Sequence, residues 1–300
     1  MIEIIKANTQ INFVSKFKFT GVLSLLMVLT FLVLTLKNLN YGVDFRGGAE
    51  VQVKFAQEID VTSLRGALKT DGHGAAIVQT IGEPEDNEYL IKVSATKEDL
   101  NVVADKIGTM LKTKFASASA DVRKVDIVGP KAGANLRIAG FTAMFWALIA
   151  IMVYIGLRFD FKYSPGAIAA LVHDVIFILG IFALYNIEFT LQTVAALLAV
   201  IGYSVNDTVI VYDRVREHEE KSAGRSLAEH INIAVNETLS RTVLTSGTTL
   251  FVSLAMLLMG GPAIKDFFLA ITLGVFVGTY SSIFVAAPVT LAFDRIKNKS

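Results

Sequence analysis

Residues 17–36 read FKFTGVLSLLMVLTFLVLTL and carry no charge after Lys18. A helix of this length crosses about 30 Å of hydrocarbon, the thickness of a bilayer core. Lys6 and Lys16 precede the stretch and Lys18 lies at its start, as basic residues do in a signal peptide, but no small-x-small cleavage site follows it. We therefore expect a retained membrane anchor in residues 1–37.

The composition of the whole chain also indicates a membrane protein. Of its 300 residues, 53% are hydrophobic and 18% are charged, which is more apolar than a soluble domain needs for its core. The net charge of +1 gives no sign of nucleic-acid binding. With no cysteine and four scattered histidines, the sequence offers no metal site and no thiol nucleophile, so we expect no metal and no cofactor.

Five further apolar stretches are long enough to cross a bilayer. They lie near residues 136–157, 164–185, 190–211, 242–259 and 267–293. Together with the anchor, they predict an all-α membrane bundle of six transmembrane helices, in which residues 133–300 hold the second to the sixth.

Between the first two spans, residues 38–132 are of mixed and polar composition. Their patterns predict strands at Ala49–Phe55, Ala75–Ile81, Tyr89–Ser94 and Asp121–Val128, and helices at Val61–Lys69 and Lys97–Phe115. The order βαββαβ is typical of a ferredoxin-like α+β domain, in which two helices back one sheet.

The basic residues of the short connections predict the orientation. With six spans, most of them fall on one side of the membrane: Lys6, Lys16, Lys18, Arg158, Lys162, Arg214, Arg216, Lys221, Arg225, Arg295, Lys297 and Lys299. The opposite connections, 186–189 and 260–266, hold only Lys265. By the positive-inside rule, we expect both termini in the cytoplasm and residues 38–132 outside it.

The connection 214–241 has a helical pattern of its own. Ser226 and Glu229 form a capping-box pattern, and Ile231 and Val235 fall on one face. We expect an amphipathic helix on the cytoplasmic membrane surface.

Polar residues inside the spans carry the functional information, because each costs free energy in lipid unless it faces a partner or water. The fourth span holds Asn206, Asp207 and Thr208, and Asp213 follows at its cytoplasmic end. Asp207 should lie roughly 9 Å deeper than Asp213, within the cytoplasmic half of the bilayer.

Arg241 stands at the cytoplasmic entrance of the fifth span, which continues with Thr245 and Thr249. Its side chain is long enough to reach the level of Asp207. An aspartate that pairs alternately with an arginine and with a proton is the usual arrangement of a proton relay. A snorkelling arginine and a salt-bridged structural aspartate are the alternative, and the residues alone leave both open.

His173 and Asp174 lie near the middle of the third span, about 15 Å from its start. Both can carry a proton, so a relay is one interpretation. A structural pair that bonds to serine or threonine of a neighbouring helix is the other.

The first span is followed by YGVDFRGG, residues 41–48. Gly47 and Gly48 indicate a sharp turn into the first strand, and Asp44 and Phe45 come just before it. A phosphate-binding loop would require a lysine and a following helix, which this stretch lacks.

Three motifs match a known family. They are GVDFRGG at 42–48, GYSVNDTVIVYDRVRE at 202–217 and RTVLTSGTT at 241–249. With the six-span layout, the whole chain resembles the SecF family, membrane subunits of the bacterial accessory protein-export complex SecDF within the RND superfamily of proton-driven transporters.

The resemblance implies a bacterial inner-membrane protein, not an enzyme, that uses the proton motive force to promote preprotein translocation. It implies Asp207 and Arg241 as positions of proton passage, and His173 and Asp174 fit its third-helix pattern. The partners it implies are SecD, the SecYEG channel, the translocating preprotein and membrane lipids, with protons as the coupling ion. Because the chain matches only the second half of a fused SecDF, it should require a separate SecD to complete a pseudo-two-fold bundle.

Two other functions stay open. One is an RND-type exporter of lipids or small molecules, although such proteins usually carry larger soluble domains than residues 38–132. The other is a non-conducting scaffold whose intramembrane charges only hold the bundle together. An enzyme is disfavoured because no Gly-x-Ser-x-Gly elbow and no metal-ligand helix pattern occurs.

Overall fold

The computed structural model describes residues 9–82, 84–94, 99–222 and 224–297. Its long helices are α1 Phe17–Asn38, α5 Pro130–Arg158, α6 Ser164–Leu184, α7 Leu191–Lys221, α8 Leu227–Met259, α9 Pro262–Ser281 and α10 Ala287–Lys297. A π-helical segment, Ser282–Ala286, joins α9 to α10, so that these two helices form one span. The described part of the chain thus contains six helices long and apolar enough to cross a membrane, which confirms the predicted layout. Lys6 and Lys299 lie outside the described residues.

A small α+β domain lies between α1 and α5. It consists of the short helix α2 Val43–Arg46, the strands β2 Gly48–Lys54, β3 Ile77–Ile81, β4 Glu88–Ser94 and β5 Asp121–Val128, and the helices α3 Val61–Thr70 and α4 Leu100–Lys114. The antiparallel sheet has the order β3-β4-β2-β5, as predicted for a ferredoxin-like domain. The predicted start of the second helix, Lys97, lies outside the described residues, and α5 begins slightly before the predicted boundary at residue 132.

Alternation of side chains along β2 builds the core of this domain. Val51 and Val53 are fully buried and pack with Leu64 of α3 and Ile107 of α4. Each such side chain contributes about 1.5–3 kcal/mol when it leaves water. The domain therefore has its own hydrophobic core, separate from that of the membrane helices.

The helices α6, α7 and α9 form the centre of the membrane bundle, and α1, α5 and α8 lie outside them. Two glycines permit the close packing of α9 on α7. A side chain at Gly274 would collide with Val200, and one at Gly278 would press on Ser204.

The connection between the fourth and fifth spans differs from the prediction. α7 continues to Lys221, and α8 begins at Leu227 after a capping box formed by Ser226 and Glu229. The prediction of a separate surface helix over 214–241 is wrong, because its second half is the beginning of the long helix of the fifth span.

The apolar face of that segment is covered by protein. Ile231 and Val235 are 1% exposed and belong to a core cluster with Phe13, Tyr212 and Val215. The segment is amphipathic, as its pattern predicts. Its apolar face, however, is covered by other parts of the protein, where the prediction had expected the membrane surface.

A two-residue ribbon, absent from the prediction, ties the soluble domain to the bundle. β1 Asn40–Tyr41 pairs in parallel with β6 Glu188–Phe189, and Gly42 N–H donates to the Phe189 carbonyl at 2.9 Å. Strands of this length have no detectable period. The pairing fixes the segment after α1 to the connection between α6 and α7.

Candidate functional site: two buried carboxylates in the helix bundle

Asp207 lies within α7 and is 2% exposed. Its Oδ2 accepts a long hydrogen bond of 3.5 Å from Ser246 Oγ of α8. Ser246 Oγ in turn accepts hydrogen bonds from Tyr203 at 3.2 Å and from Thr279 of α9 at 2.7 Å. Asp207 is thus the end of a hydroxyl cluster at which α7, α8 and α9 meet.

Arg241 does not form an ion pair with Asp207 in this structure. Its side chain is exposed, and it has no ion pair within the described part of the chain. It still lies close enough for a Coulomb interaction with the Asp207 carboxylate. A permanent salt bridge, one of the two alternatives from the sequence, is therefore not the state seen here.

The polar residues predicted to support Asp207 point elsewhere. Asn206 is exposed, and the Thr208 hydroxyl donates to the Ser204 carbonyl of its own helix at 3.4 Å. The hydroxyls of Thr245 and Thr249 likewise donate to carbonyls of α8.

Asp213 lies apart from the buried cluster. Its side chain is 50% exposed, and Oδ1 lies 3.9 Å from Nη2 of Arg158. Asp213 therefore belongs to the surface at the end of the bundle.

Ser246 was not predicted as a site residue, although the sequence carries a signal for it. Thr242, Ser246 and Ser253 lie on one face of α8 and are all buried. A line of hydroxyl residues along one face of an apolar helix indicates contact with a polar partner inside the bundle. In RTVLTSGTT, two residues of this face stand among three other hydroxyl residues, which conceals the pattern.

Asp174 of α6 is more deeply enclosed and better satisfied. It is 1% exposed, and its Oδ1 lies 3.0 Å from Nδ1 of His173. Oδ2 accepts hydrogen bonds from Ser204 of α7 at 2.7 Å and from Ser281 of α9 at 2.8 Å. The predicted bonds to serines of neighbouring helices are present, so α6, α7 and α9 converge on this carboxylate.

His173 connects Asp174 to the outer helix α1. Its ring stacks on that of Tyr280 with a centroid distance of 6.0 Å, and the Tyr280 hydroxyl lies 2.9 Å from Ser24 Oγ. His173 is 2% exposed, and its Nε2 has no hydrogen-bond partner among the residues that the structure describes. The pair therefore keeps an unused polar atom inside the bundle.

Two helices link the two carboxylates. Ser204 of α7 binds Asp174 and lies one turn before Asp207. On α9, Thr279 reaches the Asp207 cluster through Ser246, and Ser281 binds Asp174 directly. The two sites share helices without a direct contact between the two side chains.

The glycine motif forms a joint at the other end of α7. Gly47 has φ +81° and Gly48 has φ +156°, and a Cβ at Gly48 would collide with the carbonyl of Val93. Phe45 is 2% exposed and stacks on Phe189 with a centroid distance of 5.4 Å. The predicted turn is present, and its contacts are with the soluble domain and the loop before α7.

Lys92 holds the soluble domain to the same loop. Its Nζ lies 2.6 Å from Glu188 Oε2 and 3.8 Å from Glu50 Oε1. Burial lowers the pKa of Lys92, but the hydrogen bond and charge of Glu188 and the charge of Glu50 outweigh it and raise the pKa above 10.5. The ammonium group is therefore charged at neutral pH and bridges domain and bundle.

Comparison with known proteins gives consistent matches along the chain. Residues 106–295 match the family described as "Protein export membrane protein SecD/SecF, C-terminal", and residues 34–59 match the "SecD/SecF GG Motif". The protein translocase subunit SecF of Rickettsia felis is 41% identical over 273 residues, covering 91% of this chain and 88% of the relative. That of Rickettsia typhi is 43% identical over 258 residues, covering 86% and 83%.

Solved structures agree with the sequence matches. SecDF from Thermus thermophilus, described as a translocon-associated membrane protein, superimposes with a TM-score of 0.82 at 32% identity. The match covers 96% of this chain and 39% of that protein. A "Super-membrane-facing form" of SecDF gives a TM-score of 0.72 at 34% identity. This chain therefore spans about two fifths of the length of SecDF.

Proposed function

We propose, because this chain belongs to the SecF family of protein translocase subunits, that it uses the proton motive force to promote preprotein translocation through the SecYEG channel. It is a multi-pass membrane protein with six spans. In this proposal the ATPase that pushes the preprotein is a separate protein.

The burial of Asp207 carries this proposal. An ionisable side chain inside a membrane helix is costly, and such residues mark ion or proton pathways by default. Asp207 is 2% exposed and accepts a single long hydrogen bond within the described residues, while a carboxylate has room for about four. Asp174, by comparison, accepts two short hydrogen bonds from serines of neighbouring helices.

Arg241 supplies the second part of a relay. It lies near Asp207 without a salt bridge, so the carboxylate is free to take up a proton. When the proton leaves, the nearby cation compensates the negative charge that remains.

We assign both termini to the cytoplasm and the soluble domain to the other side. The domain lies at the end of the bundle that holds Glu188, through its ion pair with Lys92. The basic residues of the short connections, such as Arg158 and Arg216, lie at the opposite end of their helices. A preprotein that leaves the channel would meet the soluble domain on the outer side.

A SecD-type subunit is the proposed partner, and one face of α7 fits it. Five residues of this face are exposed in the isolated chain: Gln192, Ala195, Ala199, Gly202 and Asn206. Small residues permit close packing of membrane helices, and polar residues at either end bond across such interfaces. Lipid would leave Asn206 unsatisfied, so a second bundle is the better neighbour.

The test uses inverted membrane vesicles with SecYEG, the ATPase, a SecD partner and this protein. Preprotein translocation is measured with and without an imposed proton gradient. We expect Asp207→Asn to abolish the gradient-dependent stimulation, and Asp213→Asn, on the same helix but half-exposed, to retain it. Full stimulation by Asp207→Asn in an assembled complex would show that Asp207 is structural.

A further inference from the structure

A π-helical segment interrupts the sixth span beside Asp174. It comprises residues Ser282–Ala286 between α9 and α10. π-Helical turns are rare, appear mostly as single turns inside α-helices and occur frequently at functional sites. They also allow a helix to bend, because the regular hydrogen-bond ladder is interrupted there.

One end of the π segment is held by a polar contact. Ser281, the residue just before it, is fully buried and donates a hydrogen bond to Asp174 Oδ2 at 2.8 Å. The same hydroxyl lies 3.2 Å from the carbonyl oxygen of Gly278 on its own helix. A hydroxyl group has one proton to donate, so these are alternative acceptors. An ionised Asp174 is the stronger acceptor of the two.

The other end of the π segment is held by close packing on the same helix α6. A Cβ at Gly166 would collide with the carbonyl oxygen of Ala286 and with the hydroxyls of Tyr212 and Thr290. Those two hydroxyls are buried and lie 2.8 Å apart in a hydrogen bond. None of these contacts involves a carboxylate, so protonation of a carboxylate does not change them.

Helix α6 therefore supports the π segment at two points of different chemistry. Gly166 and Asp174 lie about 12 Å apart along α6. The contact at Gly166 is fixed by shape, and the contact at Asp174 depends on charge. The π segment is therefore fixed by packing at one end and held by a charge-dependent hydrogen bond at the other.

We propose that Ser281 is the positioning residue that couples protonation of Asp174 to the bend of the sixth span at the π segment. With Asp174 ionised, Ser281 donates to it and keeps α9 docked on α6. With a proton on Asp174, the carboxyl becomes a donor, Ser281 turns to the Gly278 carbonyl, and α10 moves about its support at Gly166. This inference rests on the proposed function in so far as protons must reach the bundle.

Few other titratable groups face Asp174. Among the described residues they are His173 on the same helix and, stacked on its ring, Tyr280 of α9. Helix α7 presents the uncharged Ser204. Protonation of Asp174 is a proton transfer from solvent, and no other covalent bond forms or breaks.

The experiment uses the absence of cysteine from the sequence, so that introduced cysteines are the only sites that a spin label can modify in this chain. Leu157→Cys near the end of α5 and Phe293→Cys on α10 are at exposed positions and take spin labels. The full chain is reconstituted with its SecD partner in lipid nanodiscs. Pulsed electron paramagnetic resonance then measures the distance between the labels over a range of pH.

We expect the distance to change between two values as the pH is varied, and Asp174→Asn to make it independent of pH. Ser281→Ala should move the midpoint to higher pH by about one unit, because the ionised carboxylate loses a donor. Ser281→Thr should restore the midpoint. Ser282→Ala is the control, since Ser282 is equally buried but donates to the Thr279 carbonyl of its own helix.

Two results would overturn the inference: an unchanged midpoint in Ser281→Ala, or an equal shift in Ser282→Ala. A wild-type distance that does not respond to pH would also overturn it. The variant Asp207→Asn distinguishes failure of the proposed function from failure of this inference. If translocation stimulation is lost in Asp207→Asn and its distance curve still depends on Ser281, both ideas stand. If stimulation persists, the proposed function fails, and the distance curve still decides the role of Ser281.

Discussion

Asp44 Oδ2 accepts a hydrogen bond of 2.9 Å from the backbone N–H of Leu191, the first residue of α7. A carboxylate at this position satisfies a free N–H group and interacts favourably with the helix dipole. Besides its N-cap Thr190, the helix that carries Asp207 thus has a second capping acceptor in its first turn, supplied by the glycine motif far away in sequence.

Replacement of this cap tests its contribution to stability. Asp44→Ala should lower the free energy of unfolding by about 0.5–2 kcal/mol, as loss of a helix cap does. Asp44→Asn retains an acceptor and should cost less. Thermal unfolding in detergent measures both, with Asp105→Ala on an exposed turn of α4 as control. Equal losses in the control and in Asp44→Ala would contradict the capping role.

The close approach at Gly48 makes a second prediction. Gly48→Ala should destabilise the soluble domain by about 1–3 kcal/mol or more, because its Cβ would collide with the Val93 carbonyl at a positive φ. Gly66→Ala, in α3 with open space around it, should instead stabilise by about 0.5–1 kcal/mol. The same unfolding assay compares them. A tolerated Gly48→Ala would mean that β2 and β4 lie further apart.

We expect loss of the Ser246 hydroxyl to reduce gradient-dependent translocation, and loss of the Ser253 hydroxyl to leave it unchanged. Ser246→Ala removes the hydroxyl that contacts Asp207, and should reduce gradient-dependent stimulation by about tenfold, the effect of one hydrogen bond to a charged group. Ser253→Ala, two turns along the same buried face, removes a hydroxyl that bonds to its own helix. Both are measured in the vesicle assay. If the two variants behave alike, the hydroxyl cluster has no role.

The exposed face of α7 predicts where the partner binds. Gly202→Leu fills a position with open space in the isolated chain, so it should leave the fold intact and reduce copurification of SecD at least severalfold. Gly21→Leu in α1 is the matched control, since that glycine also has open space around it. Undiminished copurification with Gly202→Leu would place the partner on another face.

The ion pair of Lys92 predicts that the position of the soluble domain is fixed only up to an alkaline pH. Because folding raises its pKa above 10.5, its ion pair with Glu188 contributes fully below pH 10.5 and is lost as the pH rises through the higher, folded-state value. Spin labels at Thr113→Cys and Tyr185→Cys should report an unchanged distance up to that pH and a longer or broader one above it. Lys92→Met should show the broad distribution already at neutral pH. A narrow distribution in Lys92→Met would show that the Lys92–Glu188 pair is not needed to hold the domain in place.

The fold was largely predictable because its signals are long. The six spans and the strand–helix order of residues 38–132 follow from hydrophobic runs and from alternation, which depend on many residues at once. The position of Ile231 and Val235 was not predictable to the same degree. An amphipathic pattern shows that one face of a helix contacts an apolar surface. It does not distinguish whether that surface is protein or lipid.

The residue types of the candidate site were predictable, and their contacts were less so. Asp207, Arg241 and the pair His173–Asp174 stand out because charge is rare inside spans. Which hydroxyl faces which carboxylate depends on helix rotation and packing. Ser246 contacts Asp207 while its neighbour Thr245 bonds to the Arg241 carbonyl, a difference of one position that composition does not reveal.

The ribbon of β1 and β6 has a mechanical consequence. Together with the Lys92–Glu188 pair, it fastens the soluble domain to the loop at the start of α7, and not only to the chain ends at α1 and α5. Part of any force on the domain therefore reaches α7 at its first residues, about 24 Å along the helix axis from Asp207. A displacement of the domain and a displacement of the helix that carries Asp207 are thus mechanically linked.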